Sequence, residues 1–164
     1  MDLLGDQAVL HSNALAGKTA LICGASRGIG AATAQVMAKA GANVVVASRN
    51  ETQLKALLEQ LKTLGDGQHR MLILDLEETE SIAAAVEPLL VEGPIHILVN
   101  NAGGPPGGPL LKATVDELSQ PFARHLHAAH TLVKLLAPGM ESANYGRIIQ
   151  IVSTSVREPI PNLG

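Results

Sequence analysis

Hydrophobic and polar residues follow two alternating patterns along the chain. Short apolar runs, several of them rich in β-branched residues, are separated by longer segments in which apolar residues recur at helical spacing. Such runs are typical of strands buried on both faces, and such segments are typical of amphipathic helices. The pattern predicts five strands: TALIC (Thr19–Cys23), NVVVAS (Asn43–Ser48), RMLILDL (70–76), PIHILVN (94–100) and RIIQIVS (147–153).

Three predicted helices lie between the first four strands. The first follows a glycine cluster, carries Ile29, Val36 and Met37 on its apolar face and ends at Gly41. The second, ETQLKALLEQLKTLG, is strongly amphipathic and ends at Gly65. Glycine just past an apolar face is a common helix stop. The third covers 77–93 and begins with acidic residues, which favour a helix N-terminus.

A fourth helix is predicted before the last strand. The sequence TVDE, with Thr114 and Glu117, has the spacing of a capping box. Pro121 suits the first turn of the helix that follows, and Pro138 with Gly139 predicts its end. The preceding stretch GGPPGGPL predicts a loop. The apolar face of this helix comprises Phe122, Leu126, Ala129 and Val133.

The repeated order of strand and helix predicts an α/β fold. Right-handed crossovers give a Rossmann-type, doubly wound parallel sheet in a three-layer α/β/α arrangement. Ligands of such sheets bind at the carboxyl ends of the strands. We expect residues 1–14 to form an N-terminal tail and residues 15–164 to form one dinucleotide-binding domain.

Composition excludes several classes of function. The 164 residues are 46% hydrophobic and carry a net charge of −3, with one Phe, one Tyr and no Trp. This balance argues against nucleic-acid binding. The single cysteine, Cys23, cannot form an internal disulfide, which fits a reducing compartment. The start of the chain lacks the layout of a signal peptide, and no apolar run approaches the ~20 residues that span a bilayer. We therefore expect a cytoplasmic protein with no membrane contact.

The glycine cluster after the first strand carries the main chemical signal. Gly24, Gly28 and Gly30 surround Ser26, Arg27 and Ile29 in the sequence GASRGIG. At the start of a helix the backbone amides are unpaired and the dipole is positive, so a phosphate group can approach where side chains are absent. A structural glycine turn without a ligand is the alternative. The flanking strand and helix favour the phosphate site.

Three motifs in order resemble the short-chain dehydrogenase/reductase family, in particular its 3-oxoacyl-ACP-reductase-like members. GASRGIG resembles the phosphate-binding loop of that family, LDL (74–76) its adenine-contacting strand end, and NNAG (100–103) its fourth-strand signature. The resemblance runs from about Leu15 to the end of the chain, with Cys23 where the family often has Thr. It implies hydride transfer between a nicotinamide and a small carbonyl or alcohol substrate. The cofactor residues that it implies are Gly24, Ser26, Arg27, Gly28, Ile29, Gly30, Asp75, Leu76, Asn101, Ala102 and Gly103.

The end of the second strand indicates which nicotinamide cofactor binds. NAD-specific proteins of this fold carry an acidic residue there, which binds the ribose 2′-hydroxyl and repels a 2′-phosphate. This chain has Ser48 and then Arg49, with Arg27 in the glycine loop. Two guanidinium groups and no carboxylate suit a dianionic phosphate. We therefore expect NADP(H), with NAD(H) as the alternative.

Two catalytic residues follow from the resemblance. Ser153, at the end of the fifth predicted strand, matches the serine that steadies the substrate oxygen, although a capping role is the alternative. His125 stands where the family has an asparagine that anchors a proton-relay water, and a packed or hydrated histidine is its alternative. His127 and His130 have no evident third ligand, so we expect no metal.

The Tyr-x-x-x-Lys pair that the resemblance implies is expected just beyond residue 164. Tyr145 precedes the fifth strand and is no substitute, and no Lys follows Lys134. The sheet's last strands and helices are also expected there, so the fifth strand should be a poorly covered apolar edge. We expect the N-terminal part of a homo-oligomeric reductase, inactive without the pair. The alternative is a relative that binds the dinucleotide as a regulatory or structural subunit.

Overall fold

Five parallel strands form a single sheet in the part of the chain that the structure describes. The computed structural model describes residues 11, 13–104, 107–158 and 160, so most of the expected tail 1–14 lies outside the described residues. The strand order is β3-β2-β1-β4-β5, and every neighbouring pair is parallel. The order reverses direction between β1 and β4, which is where ligands bind in sheets of this kind. The strands are β1 (Thr19–Cys23), β2 (Asn43–Ser48), β3 (Arg70–Ile73), β4 (Ile97–Asn100) and β5 (Arg147–Gln150).

Helices cover both faces of the sheet. They are α1 (Gly28–Lys39), α2 (Glu51–Leu61), α3 (Ile82–Glu92), α4 (Val115–Phe122) and α5 (Ala128–Ser142). Successive residues of β1 point to opposite faces. Ile22 packs in a core with the buried residues of α1 and α2, whereas Leu21 packs in a second core with those of α3 and α5. The predicted three-layer α/β/α architecture is therefore confirmed.

The outer strands are shorter than predicted. β3 ends at Ile73 instead of residue 76, and β5 ends at Gln150 instead of Ser153. Their partners determine these ends, because Ile73 pairs with the last residue of β2 and Gln150 with the last residue of β4. β4 begins at Ile97 instead of residue 94.

The predicted fourth helix differs most from the sequence interpretation. The capping box is confirmed: Thr114 N donates to Glu117 Oε2 at 2.8 Å, and Glu117 N donates to Thr114 Oγ1 at 3.2 Å. The helix therefore starts at Val115, and Pro121 lies within α4 instead of in a first turn. The predicted end at Pro138 and Gly139 was wrong, since α5 continues to Ser142.

A π-helical turn, Ala123–His127, joins α4 to α5. A π turn holds more residues than an α turn and shifts the register of the helix face. Phe122 at the end of α4 and Leu126 in the π turn are exposed, whereas Ala129 is buried, so the single apolar face predicted for this helix was wrong. Pro121 also lacks the amide hydrogen that would continue the helix ladder just before the π turn.

The outer edge of the sheet is thinly covered, as expected. Ile148 and Ile149 of β5 are 43% and 40% exposed, and Val152 beyond the strand is 79% exposed. Within the described part of the chain, no helix combines the length and apolar character that a bilayer crossing requires.

Candidate functional site

A cavity of about 590 Å³ lies over the carboxyl ends of the central strands. The glycine loop after β1, the end of β2, the turn after β3 and the segment after β4 form its walls. The predicted cofactor residues that line it are Gly24, Ser26, Arg27, Gly28, Ile29, Ser48, Arg49, Asp75, Leu76, Asn101, Ala102 and Gly103. Gly30 does not line the cavity, because it is buried beneath the loop.

The three glycines of the loop meet different requirements. Gly24 has φ +59°, and a Cβ atom there would lie 2.5 Å from the Asn101 carbonyl oxygen. A Cβ atom on Gly30 would lie 2.4 Å from the Gly24 carbonyl oxygen, so that glycine serves packing. Gly28 has φ +58° and open space where its Cβ would be. Gly28 therefore provides the backbone turn and leaves room in the cavity for a ligand.

The N-terminus of α1 opens onto this cavity. Arg27, the residue before the helix, has an extended backbone, and its side chain makes no capping hydrogen bond. The first turn carries no acidic side chain. The amides at the helix start thus keep the partial positive charge that attracts a phosphate group.

Asn101 ties the segment after β4 to the glycine loop. Its Nδ2 atom donates to the carbonyl oxygens of Cys23 and Gly24, at 3.3 and 3.2 Å. The Cys23 side chain is buried in the core, and burial raises the pKa of its thiol to about 12. The thiol is therefore uncharged. The contact between Cys23 and Asn101 is made by the Cys23 backbone carbonyl and not by its side chain.

Charged side chains from two turns meet beside β2. Arg49 Nη1 lies 3.5 Å from Asp75 Oδ2 and 3.7 Å from Glu77 Oε1. The end of β2 itself carries no carboxylate, as the sequence indicates. The turn after β3 supplies two carboxylates. Ser48 is the neighbouring wall residue, and its Oγ accepts a hydrogen bond from Asn50 N at 3.1 Å.

Sequence reasoning also missed Glu77 and Arg124 as cavity residues. Arg124 Nη2 donates to Glu77 Oε1 at 2.5 Å, and Arg124 Nη1 donates to the Gly103 carbonyl oxygen at 2.9 Å. These two residues are 47 positions apart in the chain. The available signals were only the position of Arg124 beside His125 and that of Glu77 two residues after Asp75.

His125 and Ser153 line a second cavity of about 1010 Å³. This cavity shares wall residues with the first, including Ile29, Leu76 and Asn101, so the two cavities adjoin, and together we term them the groove. Asn100 lies in its wall. In the described part of the chain the Nδ2 atom of Asn100 is buried without an acceptor. The structure thus brings the two predicted catalytic residues together next to the predicted cofactor residues.

The π turn places His125 against the segment after β4. His125 Nε2 lies 3.1 Å from the Gly103 carbonyl oxygen. A carbonyl oxygen can only accept, so Nε2 carries the hydrogen in this contact and Nδ1 is the other hydrogen-bonding atom of the ring.

Ser153 lies three residues beyond the end of β5, in a short turn. Its Oγ atom accepts hydrogen bonds from Ser155 N at 3.1 Å and from Ser155 Oγ at 2.7 Å. Ser153 caps the 3₁₀ turn Thr154–Val156 in this way. The capping geometry is thus present, and the same side chain also lines the groove.

The part of the chain that the structure describes contains no candidate metal site. No three side chains of His, Cys, Asp or Glu come close enough there to hold a metal ion. His130 lines the second cavity and is exposed, as is His127.

The sheet order and the glycine turn define a Rossmann-type α/β fold. The family model for short chain dehydrogenases matches residues 18–164. The chain therefore belongs to the short-chain dehydrogenase family, as its three motifs indicated.

Similar proteins include reductases from several bacteria. Ketoacyl reductase HetN of Nostoc sp. is 35% identical over 147 residues, which are 89% of this chain and 51% of that protein. Two solved structures match at 30% identity. One is a 3-oxoacyl (acyl-carrier-protein) reductase of Agrobacterium tumefaciens with NADP bound, with a TM-score of 0.83 over 91% of this chain and 57% of that one. The other is the L-sorbose reductase of Gluconobacter frateurii complexed with NADPH and L-sorbose, with a TM-score of 0.85 over 92% and 57%. The chain spans about half the length of the curated relatives it matches.

Proposed function

We propose that this chain binds NADP(H) in the groove and supplies the cofactor half of a carbonyl reductase or alcohol dehydrogenase. One observation carries the proposal: the glycine-turn cavity and the cavity of His125 and Ser153 adjoin and share wall residues. A dinucleotide with its phosphates at the start of α1 would extend from the first cavity into the second.

Each part of the first cavity suits a different part of the cofactor. The amides at Gly28 and Ile29 suit the pyrophosphate. Ser48, Arg49 and Arg27 suit a 2′-phosphate, because a guanidinium group binds phosphate with several donors. Solved relatives with NADP or NADPH bound support the choice of NADP(H) over NAD(H).

The second cavity suits the reacting carbonyl or alcohol group. When bound, a nicotinamide cofactor donates or accepts the hydride. Ser153 would donate a hydrogen bond to the substrate oxygen. His125, held through Nε2 at Gly103, would use Nδ1 in the proton relay.

The family resemblance implies a Tyr-x-x-x-Lys pair for proton transfer, and residues 1–164 contain no such pair. Tyr145 is the chain's single Tyr, and it packs against Lys18 and Arg147. We therefore propose that these residues alone bind NADP(H) without reducing a substrate. A binding subunit without reductase activity is the second candidate, favoured by the hydrogen bonds that already engage Ser153.

We further propose a cytoplasmic location and self-association. The lone cysteine suits a reducing compartment, and the exposed apolar residues Leu118, Phe122 and Leu126 suit a contact with a second copy. Light scattering of the purified protein tests the second point, and a monomer at all concentrations would contradict it.

Fluorescence titration with NADPH and NADH tests the cofactor assignment. We expect saturable binding of both with a preference for NADPH, and Arg49→Gln should reduce that preference about tenfold. Arg70→Gln is the matched control, because Arg70 pairs with Glu92 outside the cavity. Absence of NADPH binding, or an unchanged preference in Arg49→Gln, would contradict the assignment. NADPH oxidation with a panel of small ketones, measured on the complete protein, separates the reductase from the binding subunit.

A further inference from the structure

The carboxylate of Glu77 contacts two guanidinium groups at the wall of the first cavity. Its Oε1 atom accepts a hydrogen bond from Arg124 Nη2 at 2.5 Å and lies 3.7 Å from Arg49 Nη1. One oxygen atom therefore serves both cations. All three side chains line the cavity.

The two arginines are restrained to different degrees. The Arg124 side chain is 16% exposed, and its Nη1 atom also donates to the carbonyl oxygens of Gly103 and Gly104, at 2.9 and 3.1 Å. The Arg49 side chain is 65% exposed. Its ion pairs with Asp75 and Glu77 are longer, at 3.5 and 3.7 Å. Arg124 is thus the fixed counter-ion of Glu77, and Arg49 is the side chain that a ligand can recruit.

A 2′-phosphate at Ser48 and Arg49 would approach two carboxylates as well as the cation. The charged groups of the cavity are the guanidinium groups of Arg27, Arg49 and Arg124 and the carboxylates of Asp75 and Glu77. Without Arg124 the opposite charges would balance, and Glu77 would hold Arg49 more strongly. Without Glu77 the cavity would be more positive, and Arg49 would be easier to recruit.

We propose that Glu77 and Arg124 determine how strongly the site prefers a 2′-phosphorylated adenosine, and that both act through Arg49. The proposal rests on the proposed NADP(H) site and names two specificity-determining residues for it. Glu77 opposes the 2′-phosphate, and Arg124 offsets Glu77.

The two members of this ion pair should have opposite effects on ligand preference. A purely structural ion pair would give effects of the same sign, because removal of either partner breaks the same contact. The probes are 2′,5′-ADP and 5′-AMP, which differ only in the 2′-phosphate, and the measured quantity is the ratio of their dissociation constants by calorimetry with the purified protein. This ratio cancels general damage to the adenosine site.

We expect Glu77→Gln to raise the preference for 2′,5′-ADP about threefold to fivefold, as for a partly exposed ion pair. Arg124→Gln should lower it by a similar factor, and the double variant should fall between them. Added salt should reduce both effects. Glu92→Gln is the control, since it removes one negative charge from a pair outside the cavity and should leave the ratio unchanged.

Thermal unfolding of each variant establishes that it is folded. Changes of the same sign in Glu77→Gln and Arg124→Gln, or no change in either, would overturn this inference and leave the NADP(H) site intact. A wild-type protein that binds neither 2′,5′-ADP nor 5′-AMP would overturn the proposed site itself, and this inference with it.

Discussion

The Asn101 side chain donates a hydrogen bond to the Gly24 carbonyl oxygen at 3.2 Å. This contact joins the segment after β4 to the glycine turn after β1, across 77 positions of sequence. Both segments line the candidate cofactor cavity, so the shape of the cavity depends on it. The same Nδ2 atom reaches the Cys23 carbonyl oxygen.

Replacement of Asn101 by Asp should loosen the cavity. The change removes the Nδ2 donor and places a carboxylate against two carbonyl oxygens. We expect a loss of about 1–3 kcal/mol in the free energy of unfolding, measured by urea denaturation, and weaker NADPH binding. Asn43→Asp is the matched control: the Asn43 side-chain oxygen only accepts, from Gln68 N at 2.8 Å, and Asp retains that acceptor. Equal losses in the two variants would contradict the role given to the Asn101 donor.

Gly28 and Gly17 provide a second matched pair. Both have positive φ, +58° and +72°, and both have open space where a Cβ atom would be, but only Gly28 lines the cavity. Alanine at either position should cost about 1–2 kcal/mol of stability, because a side chain disfavours this backbone region. Only Gly28→Ala should weaken NADPH binding, by about tenfold in the titration. A similar loss of affinity in Gly17→Ala would show that backbone strain, and not a group in the cavity, is responsible.

Much of this arrangement is predictable from the sequence because its signals are local. Strand and helix periodicity, the glycine spacing and the capping box at Thr114 each lie within one segment. A parallel sheet then brings the carboxyl ends of the strands together. This topology alone explains why the glycine loop, Ser48 and Asp75 line one cavity.

The missed features depend on contacts between distant segments. Glu77 meets Arg49 and Arg124 only because the turn after β3 and the π turn fold against the same corner. The π turn itself changes the register between α4, which carries Phe122, and α5, which carries Ala129. Helical periodicity assumes one constant repeat, so it could not anticipate that change of register.

Stability should fall in mildly acidic solution because one backbone amide in β1 and one in β2 donate hydrogen bonds to neutral histidines. Thr19 N donates to His96 Nδ1 at 3.0 Å, and Val44 N donates to His69 Nδ1 at 3.3 Å. Burial lowers the pKa of both histidines below the usual 6.5, and for His96 the charge of Lys18 adds to this effect. A protonated ring nitrogen cannot accept these hydrogen bonds.

The sign of the pH effect follows from these lowered pKa values. Well above pH 6.5 both histidines are neutral in the folded and unfolded states, and their contribution to stability is complete. Below that pH the unfolded chain binds protons first, so the contribution is lost as the pH falls through the folded-state pKa values. Urea denaturation at pH values from about 7.5 to 5 measures this loss. His96→Asn should flatten the profile, since the amide oxygen can still accept from Thr19, whereas His127→Asn at an exposed position should not. A profile in His96→Asn as steep as that of the wild type would contradict the assignment.

Two roles for Ser153 can be distinguished by experiment: capping of the 3₁₀ turn Thr154–Val156 and binding of the substrate oxygen. Its hydroxyl accepts hydrogen bonds from Ser155 and also lines the groove with His125. If it steadies the substrate oxygen in the active protein, Ser153→Ala should lower kcat for ketone reduction by at least ~10²-fold. Ser155→Ala is the matched control, because it removes the side-chain donor of the same turn but leaves the Ser153 hydroxyl in place. A capping role alone predicts small and similar effects of the two changes on both stability and turnover. A large loss of turnover confined to Ser153→Ala, with NADPH affinity and unfolding unchanged, would establish the substrate role.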